Sequence, residues 1–296
     1  MKNKSYCKAL AVLPVAFVLL GCDGGDAEEQ TDTMWEDLDY TITGIEAGSG
    51  TTELAEDMLE DYDNLEGWDI HTSSTAGMIT SLDQAIQNEE PIIVTGWRPH
   101  WIFEEYDLKF LDDPQDSLGE EEFIHTIARE GLEADKPEAY AVLERFEWDI
   151  SDMQEVMLAA QDIPFEQAAS DWVEENREDV DQWTDGIDSV EDEAFHLVST
   201  PWDTEQSSSH VMELVLEELG YEVTITNVDP VMMFQAIAYG EGDASLAPWL
   251  PVTFGAFYDE VEDQIDDLGP NMSGALNGLV VPEYMDIDSV EDLPAR

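Results

Sequence analysis

Basic residues are almost missing from this chain. Its 296 residues hold 10 Lys+Arg against 71 Asp+Glu, a formal charge of −61 at pH 7. Nucleic acid and anionic bilayer surfaces are held by clustered cations, so neither is expected as a direct partner. Cysteine is scarce too: the 2 present exclude a disulfide framework and a cysteine-rich metal site. No apolar run is long enough to span a bilayer, and the longest, Ala9 to Leu20, is interrupted by Pro14. The chain also lacks a Gly-x-Ser-x-Gly elbow, a His-Glu-x-x-His pair and a phosphate loop. Its histidines (His71, His100, His125, His196, His210) are scattered without metal-ligand spacing. Neither catalysis nor a metal or other cofactor is therefore expected. Acidic pairs occur everywhere, so none of them singles out a site.

Apolar content is what the chain does have. A hydrophobic share of 43%, with 9 Trp, 9 Tyr and 10 Phe, is enough to build a core in a chain of this length. The acids are spread along amphipathic segments rather than gathered in blocks, which reads as the solvated faces of folded helices rather than disorder. Such a surface repels itself until counterions screen it, and a salt-rich habitat is the expectation.

The start of the chain is patterned differently. Lys2, Lys4 and Lys8 precede the short apolar run, which ends in Leu19-Leu20-Gly21-Cys22. A charged start, a short apolar stretch and small residues before the cut mark residues 1–21 as a signal peptide. The last four residues resemble a bacterial lipobox, which implies lipidation of Cys22, an extracytoplasmic location and a membrane hold through lipid alone. Cleavage would remove Cys7 and three cations, leaving 7 cations against the same 71 anions. Residues 22–39, polar and acidic, read as a stalk.

Beyond the stalk an internal repeat organises the chain. In a first α/β unit, 40–114, a strand at Tyr40–Ile45 leads through Gly48-Ser49-Gly50 to a helix from Thr52 to Tyr62. A strand near Trp68–His71, a helix from Gly77 to Gln87 and a strand at Pro91–Thr95 complete it. The second unit, within 186–296, repeats the order: strand Phe195–Ser199, helix Ser207–Leu219, strand Tyr221–Thr226, helix Pro230–Tyr239, strand Ala244–Ala247. A C-terminal return segment follows. The stretch between them, 115–185, reads as a mainly helical connecting scaffold. Two β-α-β-α-β units predict parallel sheets flanked by helices, with a ligand in the cleft between two lobes. Ser207-Ser208-Ser209-His210 is read as a polar helix N-terminus rather than a nucleophile.

Three tryptophans stand out, in Thr95-Gly96-Trp97, Pro201-Trp202-Asp203 and Pro248-Trp249-Leu250, each placed just past a predicted strand. Helical periodicity does not require them there. Indole faces carry negative potential, so three converging on a cleft would hold a cation that donates no hydrogen bond, a quaternary ammonium. Trp35, Trp68, Trp101, Trp148, Trp172 and Trp183 are read as packing or surface residues.

The segments Gly44-Ile-Glu-Ala-Gly-Ser-Gly50, Pro91-Ile-Ile-Val-Thr-Gly-Trp-Arg-Pro-His-Trp101, Ile124-His-Thr-Ile127, Trp202-Asp203, Ala247-Pro-Trp-Leu-Pro251 and Gly278-Leu-Val-Val-Pro282 are specific when taken together. Through them, from about Thr41 to Leu293, the chain resembles the glycine-betaine-binding lipoproteins of ABC importers. The resemblance implies a two-lobed periplasmic-binding-protein fold of type II and a monomer working with permease subunits. It implies a cation cage of Trp97, Trp202 and Trp249, and a ligand carboxylate held by the backbone N–H groups of Gly50 and Thr51. A glycine-rich turn entering a helix does aim free N–H groups at an anion. One position departs from the family: the carboxylate-binding histidine five residues after the third tryptophan is Phe254 here. Thr253 and Arg98 are the candidate replacements. Choline or another betaine-like ligand is the alternative to glycine betaine, and a ligand sensor without a transporter is the alternative role.

Overall fold

A computed structural model describes residues 34–296. The proposed signal peptide and Cys22 lie outside the described residues. Residues 34–37 form a helical turn, and Trp35 and Leu38 are buried in the first unit's core. Trp35 meets Trp68 edge-on at 6.1 Å. Two large apolar side chains withdrawn from water hold this segment down, so the expected stalk of 22–39 does not extend through its last six residues.

The repeat predicted from sequence has a topological counterpart. In the first unit β1 (Thr41–Thr43), α1 (Gly50–Asp61), β2 (Asp69–His71), α2 (Thr75–Asn88) and β3 (Val94–Arg98) alternate, with β1 between β2 and β3 in parallel register. Two antiparallel strands follow, β4 (Leu108–Phe110) and β5 (Glu122–Arg129), and β5 begins the second lobe. A single helical turn at Leu132–Asp135 and four longer helices come next: α3 (Pro137–Arg145), α4 (Ile150–Ala159), α5 (Phe165–Glu175) and α6 (Arg177–Thr184). The second unit then runs β6 (Glu193–Ser199), α7 (Asp203–Glu218), β7 (Tyr221–Asn227), α8 (Pro230–Ala238) and β8 (Ala244–Ser245), with β6 parallel to both β7 and β8. After β9 (Trp249–Leu250), the strand β10 (Ile265–Pro282) returns to the first lobe.

These strands form one mixed sheet in the order β2-β1-β3-β10-β5-β8-β6-β7. β10 pairs with β5 up to Ala275 and with β3 from Leu276 onward, so the two lobes share a single strand. Three register shifts interrupt its first half, where Gly269 and Gly274 take positive φ. Bulges of this kind bend a strand and raise its twist, which lets one strand serve two differently oriented sheet halves. The expected helical scaffold of 115–185 therefore holds a full strand of crossing sheet, β5, ahead of its helices. Its alternation was masked by Glu120-Glu121-Glu122 and by a mostly buried second half.

Packing follows from the alternation of side chains. Ile42, Ile93, Leu279 and Val281 enter the first lobe's core, whereas Val94 and Val280 point through the other sheet face into the larger core. In the helical segment Trp148, Trp172, Trp183 and Phe146 form an aromatic cluster, with Trp172 stacked on Trp183 at 6.2 Å. The expectation that these tryptophans pack is met. α7 starts four residues before the expected Ser207, so Ser207–Ser209 lie inside the helix, not at its end. They are buried, and Ser207 donates back to the Asp203 carbonyl at 2.8 Å while Ser209 donates to Ser199 Oγ at 2.9 Å.

Among the described residues every Lys and Arg but one pairs with a carboxylate, and Arg145 donates instead to the Trp183 and Asp185 carbonyls. Arg129 and Lys136 converge on Asp243 at 3.0 and 2.6 Å, and Arg177 reaches Glu218 at 2.8 Å. The remaining acids repel one another over a Debye length of about 10 Å at 0.1 M salt, shrinking to about 3 Å at 1 M. We expect the melting temperature to rise from low salt to 2 M NaCl by about 10 °C, which corresponds to about 3–5 kcal/mol for a chain of this size. Thermal melts followed by circular dichroism check this, and a salt-independent midpoint would refute it.

Candidate binding site

The site forms where β10 changes partners. Asn277 sits opposite Trp97 in the β10–β3 register, so the two side chains share one sheet face. Trp97 is in the last turn of strand pairing rather than past the strand, as the sequence suggested, and it is 6% exposed. Trp249 likewise belongs to a short strand, β9, and is buried. Each is followed one residue later by a cis X-Pro bond, Arg98–Pro99 and Leu250–Pro251. Trp202 caps the start of α7 and is half-buried. All three line one cavity between the lobes.

The start of α1 also lines the cavity. Ser49 is the N-cap and its hydroxyl accepts from the Thr52 N–H, leaving Gly50 and Thr51 as the first helical residues. Their N–H groups precede any intrahelical partner and point to the positive end of a 12-residue helix. Both residues line the cavity together with the three tryptophans.

Phe254 is buried and faces Trp202 at 6.4 Å between ring centres, with Phe234 and Phe257 behind it. It adds a further aromatic wall where the family carries a histidine. Neither candidate replacement turns a free donor into the cavity. Arg98 lies outside the cavity lining; its guanidinium turns to the Gly274 carbonyl at 3.3 Å and to Glu121 at 3.8 Å. The Arg98 alternative is thereby corrected: its strand position points it out of the cleft, on the side opposite to Trp97. Thr253 does line the cavity, but its hydroxyl and its N–H both donate to the Glu122 carboxylate.

Glu122 is one of several residues that sequence reasoning missed. It is 1% exposed at the start of β5 and also accepts from the Val252 N–H at 3.1 Å and from Asn277 Nδ2 at 3.0 Å. Asn277 in turn accepts from the Thr51 hydroxyl at 2.7 Å. A chain of hydrogen bonds thus runs from α1 of the first lobe, through the shared strand, to the Thr253 loop of the second. Burial pushes the Glu122 carboxyl upward in pKa, and its four donors partly offset that.

Two further carboxylates stand at the start of α7. Asp203 accepts from the Trp101 indole N–H at 3.0 Å, a bond between lobes. Glu205 accepts from the Trp249 indole N–H at 3.0 Å and from the Thr204 hydroxyl, and it lines the cavity. Burial raises Asp203, and it pushes Glu205 up to about 7. His100, edge-on to Trp97 at 4.7 Å, is held neutral by burial, which lowers its pKa to about 3. The only sequence signal for Asp203 and Glu205 was their place after Trp202, and it was lost among 71 acids.

Comparison with known proteins finds relatives of the whole described chain. The family described as the substrate-binding domain of ABC-type glycine betaine transport systems matches residues 25–175 and 196–296. The glycine betaine/carnitine transport binding protein GbuC of Listeria monocytogenes serotype 1/2a is 44% identical over 263 residues, covering 88% of each chain. Among solved structures, lactococcal OpuAC in its closed, glycine-betaine-bound form is 40% identical over 49% of this chain and 58% of its own, with a TM-score of 0.46. A glycine betaine/L-proline-binding protein (ProX) from Borrelia burgdorferi is 36% identical over 52% of this chain and 59% of its own, with a TM-score of 0.48. The aligned parts span less than two thirds of those two solved chains.

Proposed function

This chain belongs to the family of substrate-binding domains of ABC-type glycine betaine transport systems, and from that premise we propose that its interlobe cavity binds a small quaternary ammonium solute, glycine betaine first, for delivery to importer permease subunits. The observation that carries the reading is that Trp97, Trp202 and Trp249 line one cavity together with the amino end of α1. Methylated ammonium has no N–H to donate, so it gains from indole faces, at about 0.5–2 kcal/mol per well-placed ring, more than from any carbonyl. A carboxylate one methylene away would reach the Gly50 and Thr51 N–H groups, where the helix end favours negative charge by about 0.3–1 kcal/mol or more. Carnitine, which the Listeria relative's name includes, and choline present the same cation with different tails.

The test is titration calorimetry in molar salt with glycine betaine, carnitine, choline and a non-quaternary control such as ectoine. Saturable heats with the quaternary ligands and none with the control are expected. Absence of heat with every quaternary ligand would remove the reading.

The role is that of a transport binding protein outside the cytoplasm, working as a monomer. Among the described residues no helix is long and apolar enough to cross a membrane. Membrane attachment rests instead on lipidation of Cys22, for which the residues Leu19-Leu20-Gly21-Cys22 are the support. We expect Cys22→Ala to shift the protein from the carbonate-washed membrane pellet to the soluble fraction with ligand affinity unchanged; retention in the pellet would contradict the anchor. The acidic surface fits a salt-rich setting in which such solutes balance external osmotic pressure.

A further inference from the structure

Glu205 is a buried carboxylate that neither the cage nor the carboxylate wall requires. It is 3% exposed, yet it lines the cavity beside Trp249, whose indole N–H it accepts at 3.0 Å. The Thr204 hydroxyl is its other side-chain donor. No Lys, Arg or His pairs with it among the described residues. An ionised carboxylate without a cation is costly in a protein interior, and a quaternary ammonium in this cavity would supply one.

Resting on the reading of this cavity as a quaternary ammonium site, we infer that Glu205 is a specificity-determining residue that selects for ligand charge: its ionised carboxylate favours a net cation such as choline over a zwitterion such as glycine betaine. The argument is a charge count. With Glu205 ionised, choline leaves a neutral filled cavity, whereas glycine betaine adds a second carboxylate to one already there. With Glu205 protonated the balance reverses, because the zwitterion is neutral by itself and choline buries an uncompensated cation. The missing family histidine, replaced by Phe254, acts in the same direction by withdrawing a donor from the ligand carboxylate. Glu205 also orients Trp249 through its indole N–H, so the anion and one cage ring are mechanically tied.

Proton linkage follows from the surroundings. Burial is the main cause that lifts Glu205 to about 7, with Asp203 on the same helix adding repulsion, and the Thr204 and Trp249 donors opposing it. Across the cavity Glu122 is saturated with four donors, and His100 behind Trp97 is neutral. On the elements packed against α7, His196 of β6 bonds the Glu241 carbonyl and Thr226, Asp243 is paired with Arg129 and Lys136, and His210 of α7 itself bonds Glu213. On β7 stands Glu222, on α4 Glu155, and on α5 Glu166 and Asp171, all of them exposed. A bound cation favours ionised Glu205, so choline binding expels a proton below the free group's titration and affinity rises with pH through that range.

The experiment is calorimetry with choline and glycine betaine between pH 6 and 8, in molar salt so that the exposed acids are screened, on wild type and Glu205→Gln. Wild-type affinity for choline is expected to rise about tenfold over that range, with proton release seen as a heat that changes with buffer ionisation enthalpy. Glycine betaine should not share that rise; its affinity should hold or fall as Glu205 ionises. Glu205→Gln keeps an acceptor for the Trp249 N–H; it should abolish the choline slope, weaken choline about tenfold at pH 8 and shift the ratio of choline to glycine betaine affinity toward glycine betaine. A flat wild-type choline profile, a slope that persists in Glu205→Gln, or equal loss of both ligands would overturn the inference while leaving the quaternary ammonium site standing. The wild-type profile and proton count decide the matter even if the variant fails to fold. Wild type that binds neither ligand would overturn the proposed function and this inference with it.

Discussion

Replacing Trp97, Trp202 or Trp249 with alanine is expected to weaken binding of glycine betaine by about 30- to 1,000-fold, or about 2–4 kcal/mol. Each ring supplies a face to the cation and a wall that keeps water out, and alanine removes both. Phenylalanine or tyrosine should recover part of the loss, since a weaker π face remains. Trp249→Ala should be the most damaging, because it also strips Glu205 of its indole donor and leaves a buried acceptor short of a partner. Double alanine mutants should lose less than the sum of the single losses, because the three rings enclose one charge. Trp148, in the aromatic cluster of the helical segment, is the control: Trp148→Ala should lower the melting temperature and leave ligand preference alone. Calorimetry on the purified variants reads all of these, and near-wild-type affinity in all three single alanine variants would disprove the cage.

Gly50→Ala should weaken ligand binding by about 100-fold or more while leaving the unliganded protein as stable as before. A Cβ at Gly50 would drive into the Thr253 carbonyl oxygen and sit 2.5 Å from its Cγ2. Thr253 belongs to the second lobe, so opening of the cleft would relieve the conflict. Within α1 itself alanine is a better helix former than glycine by up to about 1 kcal/mol, and Gly50 has no positive φ to preserve. The variant therefore separates closure from folding, which a cage mutant cannot do. If lobes close on the ligand, the substitution costs affinity without stability; 100-fold is about 2.7 kcal/mol, a modest fraction of what such an overlap would cost if unrelieved. Binding within about threefold of wild type would show that the Gly50–Thr253 approach is not needed in the bound state. Thermal melts of the free protein and calorimetry with ligand are the two readings required.

The repeat, the alternation of strand and helix and the placing of three tryptophans beside strand ends were legible in the sequence because each is local. Strand period, helical period and a turn rich in glycine are set by neighbours within a dozen residues. The charge was legible for the same reason: repulsion among 71 acids and 10 cations depends on composition before it depends on shape. Helix and strand bounds moved by a few residues where tertiary pairing overrode local preference, as when α7 began at Asp203 and took Ser207–Ser209 into its body. Tertiary structure alone decided three matters. It made β5 a strand, since β10 and β8 lie beside it and satisfy its backbone. It turned Arg98 out of the cleft and tied Thr253 to Glu122, because side-chain direction on a strand depends on register with a partner far away in sequence. It also set Glu205 apart from the other acids. Acids of one type look alike in a sequence, and only burial against Trp249, away from any cation, distinguishes one carboxylate from the rest.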